Sequence, residues 1–367
     1  MLQAKETHVG IPWDSRTPFE RWVEDDLKLS LHRGYFTGPL GESDLRPWPA
    51  RGITAAFWDI KGAESLAGLY VGEIAPARSS ERTRQLYDEI IYVIAGRGNT
   101  TVTTPDGPIS FEWGPGSLFT VPLNYPYQLH NGTGREPVRF LSVNTLPIVY
   151  SLFRDERFIY GADWDSRRLP RHAGATDAVL YQPDATHDRT AVDLYETMFV
   201  PDVFAVPRSR FVEHGEGSHT VYFELANAPI SAHMAEIQGG QFFNPHRHGP
   251  SAFVCILEGS GYTLMWTEAS EPVRFDWPKG DIGVVVPPNM WWHGHFVTSP
   301  RALQLAIKLR SRKHPINHLY EKTHKFVSEG GTILRYTDLE EGLRTRIWQT
   351  YVEECARVGM TAEPPTR

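Results

Sequence analysis

The chain has 367 residues, 41% of them hydrophobic, with 31 glycines and 28 prolines, so it is long enough for two ordinary domain cores and rich in turn formers. Its formal charge of −7 is not accompanied by a basic stripe, which argues against nucleic acid as a partner, and no apolar run is long enough to cross a bilayer as a helix. The opening MLQAKETHVGIPWDSR lacks the basic-then-apolar order of a secretion signal, and the two cysteines, Cys255 and Cys355, form neither a disulfide framework nor a metal-ligand set, so a cytoplasmic protein is expected.

In chain order, residues 1–50 are rich in Trp, Pro and charge and read as an N-terminal arm that packs on a neighbour or covers a barrel mouth. Residues 51–150 carry short alternating or apolar runs, ITAAFWDI, IIYVIA and SLFTVPL, cut by Gly, Pro, Asp and Asn. Residues 151–215 form a linker that mixes arginine-rich loops with PDVFAVP. The short runs resume over 216–312 as SAHMAEI, AFVCIL, DIGVVVP and ALQLAIKL. The tail, 313–367, has helical spacing in DLEEGLRTRIWQTYVEECARV, where Leu343, Ile347 and Tyr351 share a face that Leu339 extends. Many short strands at even spacing predict an all-β sandwich or small barrel.

The two β-rich stretches repeat one another. Glu89-IIYVIAGRGNTTV lies over Ala252-FVCILEGSGYTLM at an offset of 163 residues (89 to 252), with Gly96 and Gly98 over Gly259 and Gly261. Val121-PLNYPYQLHN lies over Val286-PPNMWWHGHF at an offset of 165 (121 to 286), which puts Pro122, Asn124 and His130 on Pro287, Asn289 and His295. Two copies of one β-unit follow.

The second copy carries the chemistry. In His246-Arg247-His248 the alternation of a strand points both imidazoles one way and Arg247 the other. A third imidazole, His293 or His295, arrives on the apolar, aromatic strand after VVVPP. Neutral imidazole suits Fe, Mn, Ni, Cu or Zn, and three protein ligands leave positions open for chemistry. The first copy has Thr83, Gln85, Glu89 and Gln128 where the second has His246, His248, Ala252 and His293, too few ligands for a transition metal. Because His130 and His295 are common to both copies, that pair reads as structural and His293 is preferred as the third ligand.

Other features have plainer readings. His314 and His318 read as surface or cap residues, Arg82 and Arg84 as solvated charge, and Glu89 as the holder of a structural hydrogen bond. Adjacent Trp291 and Trp292 face opposite sides, with packing and stacking on a substrate both open. Trp266, Trp291 and Gln304 are the candidates to touch substrate.

The run Gly240, His246-x-His248, Ala252, Gly259 resembles the first motif of cupins, and the doubled unit looks like a bicupin, implying two tandem double-stranded β-helix barrels. Cupins normally have Glu where this chain has Ala252. With Glu-Gly-x-Gly-Tyr-Thr and Pro-Asn-x-x-Trp-His-x-His downstream, the pattern resembles gentisate and salicylate 1,2-dioxygenases, iron(II) enzymes that split aromatic rings bearing a carboxylate and an adjacent hydroxyl. By that resemblance His246, His248 and His293 hold iron and His295 stands one step out. The chain departs from those enzymes in carrying the metal motif in its second unit and in lacking a matching substrate arginine.

The expected function is therefore a mononuclear Fe(II) dioxygenase that cleaves a hydroxylated aromatic acid, with the anionic substrate and dioxygen as partners. Three neutral ligands leave both metal charges uncompensated, which calls for an anionic, chelating substrate. The alternative is a redox-neutral decarboxylase, lyase or isomerase using Mn, Ni or Zn as Lewis acid. A third possibility, a binding module, would want a closed site with a fourth side chain. Exposed barrel edges and the long arm predict a homo-oligomer.

Overall fold

Side-chain alternation explains most of the architecture. In Ala252–Glu258, Phe253 and Cys255 point to one side of the sheet and Ala252, Val254 and Ile256 to the other, and both faces are buried. The run reads as continuously apolar because one face lines a barrel and the other packs on the second barrel. This computed structural model describes residues 15–168, 178–182, 192–309 and 325–365. His314 and His318 lie outside the described residues.

Each repeat folds as eight strands. In the first they are β1 (Ile53–Ile60), β2 (Gly68–Ile74), β3 (Glu89–Ala95), β4 (Gly98–Thr104), β5 (Gly107–Trp113), β6 (Leu118–Thr120), β7 (Tyr127–Asn131) and β8 (Val138–Asn144). In the second they are β9 (Ser218–Leu225), β10 (Ser231–Gln238), β11 (Ala252–Glu258), β12 (Gly261–Trp266), β13 (Val273–Asp276), β14 (Gly283–Val285), β15 (Trp292–Val297) and β16 (Arg301–Lys308). The larger sheets run β1-β2-β8-β3-β6 and β9-β10-β16-β11-β14, and the smaller ones β5-β4-β7 and β13-β12-β15. The orders are identical copy to copy, and the chain folds as two tandem jelly-roll barrels.

The outer faces of the two larger sheets share one core. Leu69, Val71, Leu141 and Val143 from the first barrel cluster with Phe223, Met234, Phe253, Leu305 and Ile307 from the second. Burying each such side chain contributes about 1.5–3 kcal/mol. The flanking segments tie the halves together. Ser30–Gly34 pairs in parallel with β1, and the next residues cross to the second barrel, where Thr37 N–H donates to the Val284 carbonyl (3.1 Å) and Leu40 N–H to that of Ile282 (2.9 Å). In return Phe199–Val200 extends the first barrel at β6. Arm and linker are thus strands of the sheets as well as connections.

In the tail, α1 (Glu341–Arg357) buries Ile347, Tyr351 and Cys355 on the back of β12 and β15, against Tyr262, Phe296 and Trp292. The Tyr351 hydroxyl reaches the carbonyls of Gln241 (2.7 Å) and Val297 (2.8 Å). Leu339 is buried in the same cluster but lies outside the helix, because Glu340 caps it by accepting from the Gly342 and Leu343 amides.

The lumen of the first barrel holds a guanidinium. Arg51, 4% exposed, donates to the Tyr87 hydroxyl (2.6 Å), the Tyr127 hydroxyl (2.6 Å) and Gln85 Oε1 (3.4 Å). The Tyr127 oxygen lies 3.2 Å from the carboxylate of fully buried Glu89, which also accepts from Ser142 (2.6 Å), Gln85 (3.0 Å) and Tyr70. Burial disfavours the Arg51 charge, but Tyr127, Tyr87, Tyr70 and Glu89 outweigh it and hold the group protonated. Replacing Arg51 by Met would strand the Glu89 charge in the core. Urea unfolding is expected to show a loss of about 3–5 kcal/mol for Arg51→Met and partial recovery in Arg51→Met/Glu89→Gln, whose polar groups are neutral.

Candidate metal centre

His246, His248 and His293 meet at the mouth of the second barrel, each offering a ring nitrogen within 4.8 Å of the others. Local backbone pairing sets this up. The His246 amide donates to the His293 carbonyl (2.9 Å) and the reverse bond is also 2.9 Å, so the two residues are a directly opposed pair with their side chains on one face. On its other edge the segment is held by the Arg247 amide on the Thr332 carbonyl (3.0 Å) and the Leu334 amide on the Pro245 carbonyl (2.7 Å). The segment 325–335 therefore works as an extra strand behind the His-x-His motif.

All three rings are oriented in the same way. Nδ1 of His246 lies 2.9 Å from the Asn244 carbonyl, Nδ1 of His248 2.9 Å from that of Gly249, and Nδ1 of His293 3.0 Å from that of Trp291. A carbonyl only accepts, so each Nδ1 carries the proton and each Nε2 presents a lone pair, the form in which histidine binds a metal. His246 and His293 rings are 4.2 Å apart, and His248 and His293 rings 4.5 Å. The donor set fits a divalent transition ion.

His295 is held differently. Its Nδ1 is 2.9 Å from Thr263 Oγ1, which already accepts from the Trp277 indole N–H (2.9 Å). The hydroxyl proton then goes to Nδ1, and Nε2 carries hydrogen rather than a lone pair. Burial, reinforced by the His246 ring nearby, holds the His295 imidazole well below its ordinary pKa, so it is a neutral donor beside the trio.

The first barrel corrects the alignment of the two copies. In β15, His295 lies opposite Thr263 and His293 opposite Met265; in β7, Leu129 lies opposite Thr100 and Tyr127 opposite Val102. The Trp113 indole donates to Thr100 (2.9 Å) just as Trp277 does to Thr263. The preceding turns agree, with left-handed Asn124 (φ 58°) matching Met290 (φ 60°). The offset here is 166 (127 to 293), so Tyr127 rather than Gln128 occupies the place of His293, and Phe296 rather than His295 is the counterpart of His130. One residue of slip exchanges the faces of a strand. His130 points outward, with its Nδ1 2.8 Å from Ser79 Oγ, and His295 has no twin. Where the second barrel gathers imidazoles, the first gathers Gln85, Tyr127 and Glu89 around Arg51.

A cavity beside His246 and His248 is bounded in part by Ala252, Tyr222, His233, Gln304 and Lys308. His214 also borders it, stacked on the His246 ring at 4.9 Å. No sequence pattern marked His214 or His233 as lumen residues; strand register and a loop bring them in. Gln304, Ile307 and Lys308 lie on a late strand expected to face the lumen, and of these Gln304 and Lys308 do so while Ile307 packs in the core between the barrels. Of the candidate substrate contacts, Gln304 lines this wall. Trp266 pairs with Trp292 on the outer face of the small sheet and packs under α1. Trp291 packs at the rim beside Tyr35 (6.2 Å), Phe36 and Phe275. Trp292 stacks under the Arg247 guanidinium (4.4 Å), which pairs with Glu268 (2.7 Å).

No family model matches the sequence, and no curated protein matches it. Among solved structures, the chain is similar to a formate complex of oxalate decarboxylase from Lactobacillus farciminis (15% identity, TM-score 0.48, covering 75% of this chain and 86% of that one). It is likewise similar to Bacillus subtilis oxalate decarboxylase (13%, 0.49, 84% and 87%) and to vicilin from hazelnut, Corylus avellana (11%, 0.46, 75% and 85%).

Elemental analysis of the purified protein is expected to give one transition ion per chain, lost in each of His246→Ala, His248→Ala and His293→Ala. His295→Gln should retain it, with affinity lowered by at most about 10–100-fold, the range for outer-shell partners.

Proposed function

We propose that this protein is a metal-dependent enzyme whose second barrel acts on a small organic acid in a redox-neutral reaction, a decarboxylation, elimination or isomerisation, with Mn, Ni or Zn on His246, His248 and His293. The observation that carries this reading is the convergence of three imidazoles within 4.8 Å, each with Nδ1 anchored to a backbone carbonyl. A divalent ion there would polarise a carboxyl or carbonyl group and orient a chelating substrate. The chain's own residues supply the rest. Ala252, a buried methyl beside the trio, leaves space and positive charge for a ligand to fill. His295, neutral and lining the cavity, can donate a hydrogen bond to a ligand there. His214, His233 and Lys308 on the wall can carry the proton that each of these reactions must move.

Two observations bear on the choice of reaction. The wall is rich in proton carriers, His214, His233 and Lys308, which supports proton transfer on a small acid. Ala252 in place of a carboxylate supports the second reading, an Fe(II) dioxygenase acting on a hydroxylated aromatic acid with dioxygen. Protein loaded separately with Mn(II), Ni(II), Zn(II) and Fe(II) is to be screened with small keto, hydroxy and dicarboxylic acids and with hydroxybenzoates, following products by NMR and oxygen by electrode. Turnover under anaerobic conditions is expected. Oxygen uptake confined to the iron form with a hydroxybenzoate would replace this reading with the second, and binding without turnover would leave a recognition module.

A further inference from the structure

The wall of the cavity beside His246 and His248 has cationic side chains, Arg247 and Lys308, and no carboxylate among its lining residues. The Arg247 charge is answered at the rim by Glu268. Lys308 is placed deeper. On β16 it lies in register with Ala252 on one side and Ser231 on the other, and Glu224 follows Ser231 in the same cross-strand row. Its ammonium lies 4.9 Å from the centroid of the Tyr222 ring. Tyr222 belongs to the next row, with His233, Ala306 and Val254, so the lysine leans along the lumen away from its own backbone. In that direction lies Gln304, 2% exposed, whose amide nitrogen meets no acceptor among the described residues although the side chain borders the cavity. A buried amide N–H left in that state favours a ligand that accepts from it.

We propose that Lys308, assisted by Gln304, makes this lumen selective for small organic dianions, with one acid group directed to the histidine trio and the second held by the Lys308 ammonium. The inference rests on the metal reading for the first of these contacts only. Charge supports it. A divalent ion on neutral imidazoles at one end of the lumen and an ammonium at the other each favour an acid group, so a ligand carrying two is matched to both. Small side chains at Ala252 and Ala306 provide the room beside the lysine.

The test is calorimetric titration of the full chain loaded with Mn(II), using malonate and acetate as probes, on wild type, Lys308→Met, Lys308→Arg and Gln304→Leu, with metal content and melting temperature measured for each. Wild type should bind malonate at least about tenfold more tightly than acetate. Lys308→Met should lose about 10–100-fold for malonate and little for acetate, Lys308→Arg should keep the preference, and Gln304→Leu should lose about fivefold. Equal binding of the two probes by wild type, or an undiminished preference in a folded, metal-loaded Lys308→Met, overturns the proposal. If Lys308→Met does not fold, Lys308→Gln is read in its place by the same criteria. Repeating the titration on protein that takes up no metal separates the two readings: a malonate preference that still depends on Lys308 upholds this inference while the metal reading fails, and loaded metal without any preference does the reverse.

Discussion

The burial of the two larger sheets against each other is the constraint from which the centre follows. With Phe253, Cys255, Leu305 and Ile307 committed to the core between barrels, Ala252, Val254, Gln304, Ala306 and Lys308 have only the lumen left to face. A strand has no third option, and a slip of one residue would place apolar side chains in the cavity and the lysine in the core. The small sheet obeys the same logic. Packing Trp292 and Phe296 under α1 leaves His293 and His295 pointing inward.

The first barrel holds a cation of its own where the second offers a set of ligands for one. In the first, Arg51 is tethered to the chain and closed in by Tyr87, Tyr127, Gln85 and Glu89, so its charge is balanced within the protein and its donors are directed at fixed acceptors. In the second, neutral imidazoles and an alanine leave charge on any bound ion to be balanced from outside. A site of the first kind stabilises a lumen; one of the second kind has an affinity to offer a substrate. The distinction rests on a few positions, Gln85 against His248, Glu89 against Ala252 and Tyr127 against His293, within one strand order.

Much of the fold was legible because period-two alternation and repeated Gly-x-Gly turns are local signals. The His-x-His pair was legible for the same reason, since alternation alone puts both rings on one side. The counterpart of His293 was misread because the copies differ in length before β7 and β15, and only the cross-strand partners of Thr100 and Thr263 fix which residue faces in. Arg51 was invisible as a lumen residue. It lies in a short turn before the first strand, and nothing in its neighbours says where a guanidinium at the end of a long side chain will arrive.

The sequence by itself determined the β-class, the duplication and the residue types able to hold an ion, because these depend on spacing along one strand and on the chemistry of imidazole. Tertiary structure decided which histidine joins the pair, which nitrogen of each ring is turned inward, and that His214 and His233 share their cavity. Those outcomes depend on pairing between strands far apart in the chain and on carbonyl groups that orient each ring, and neither is written in any local pattern.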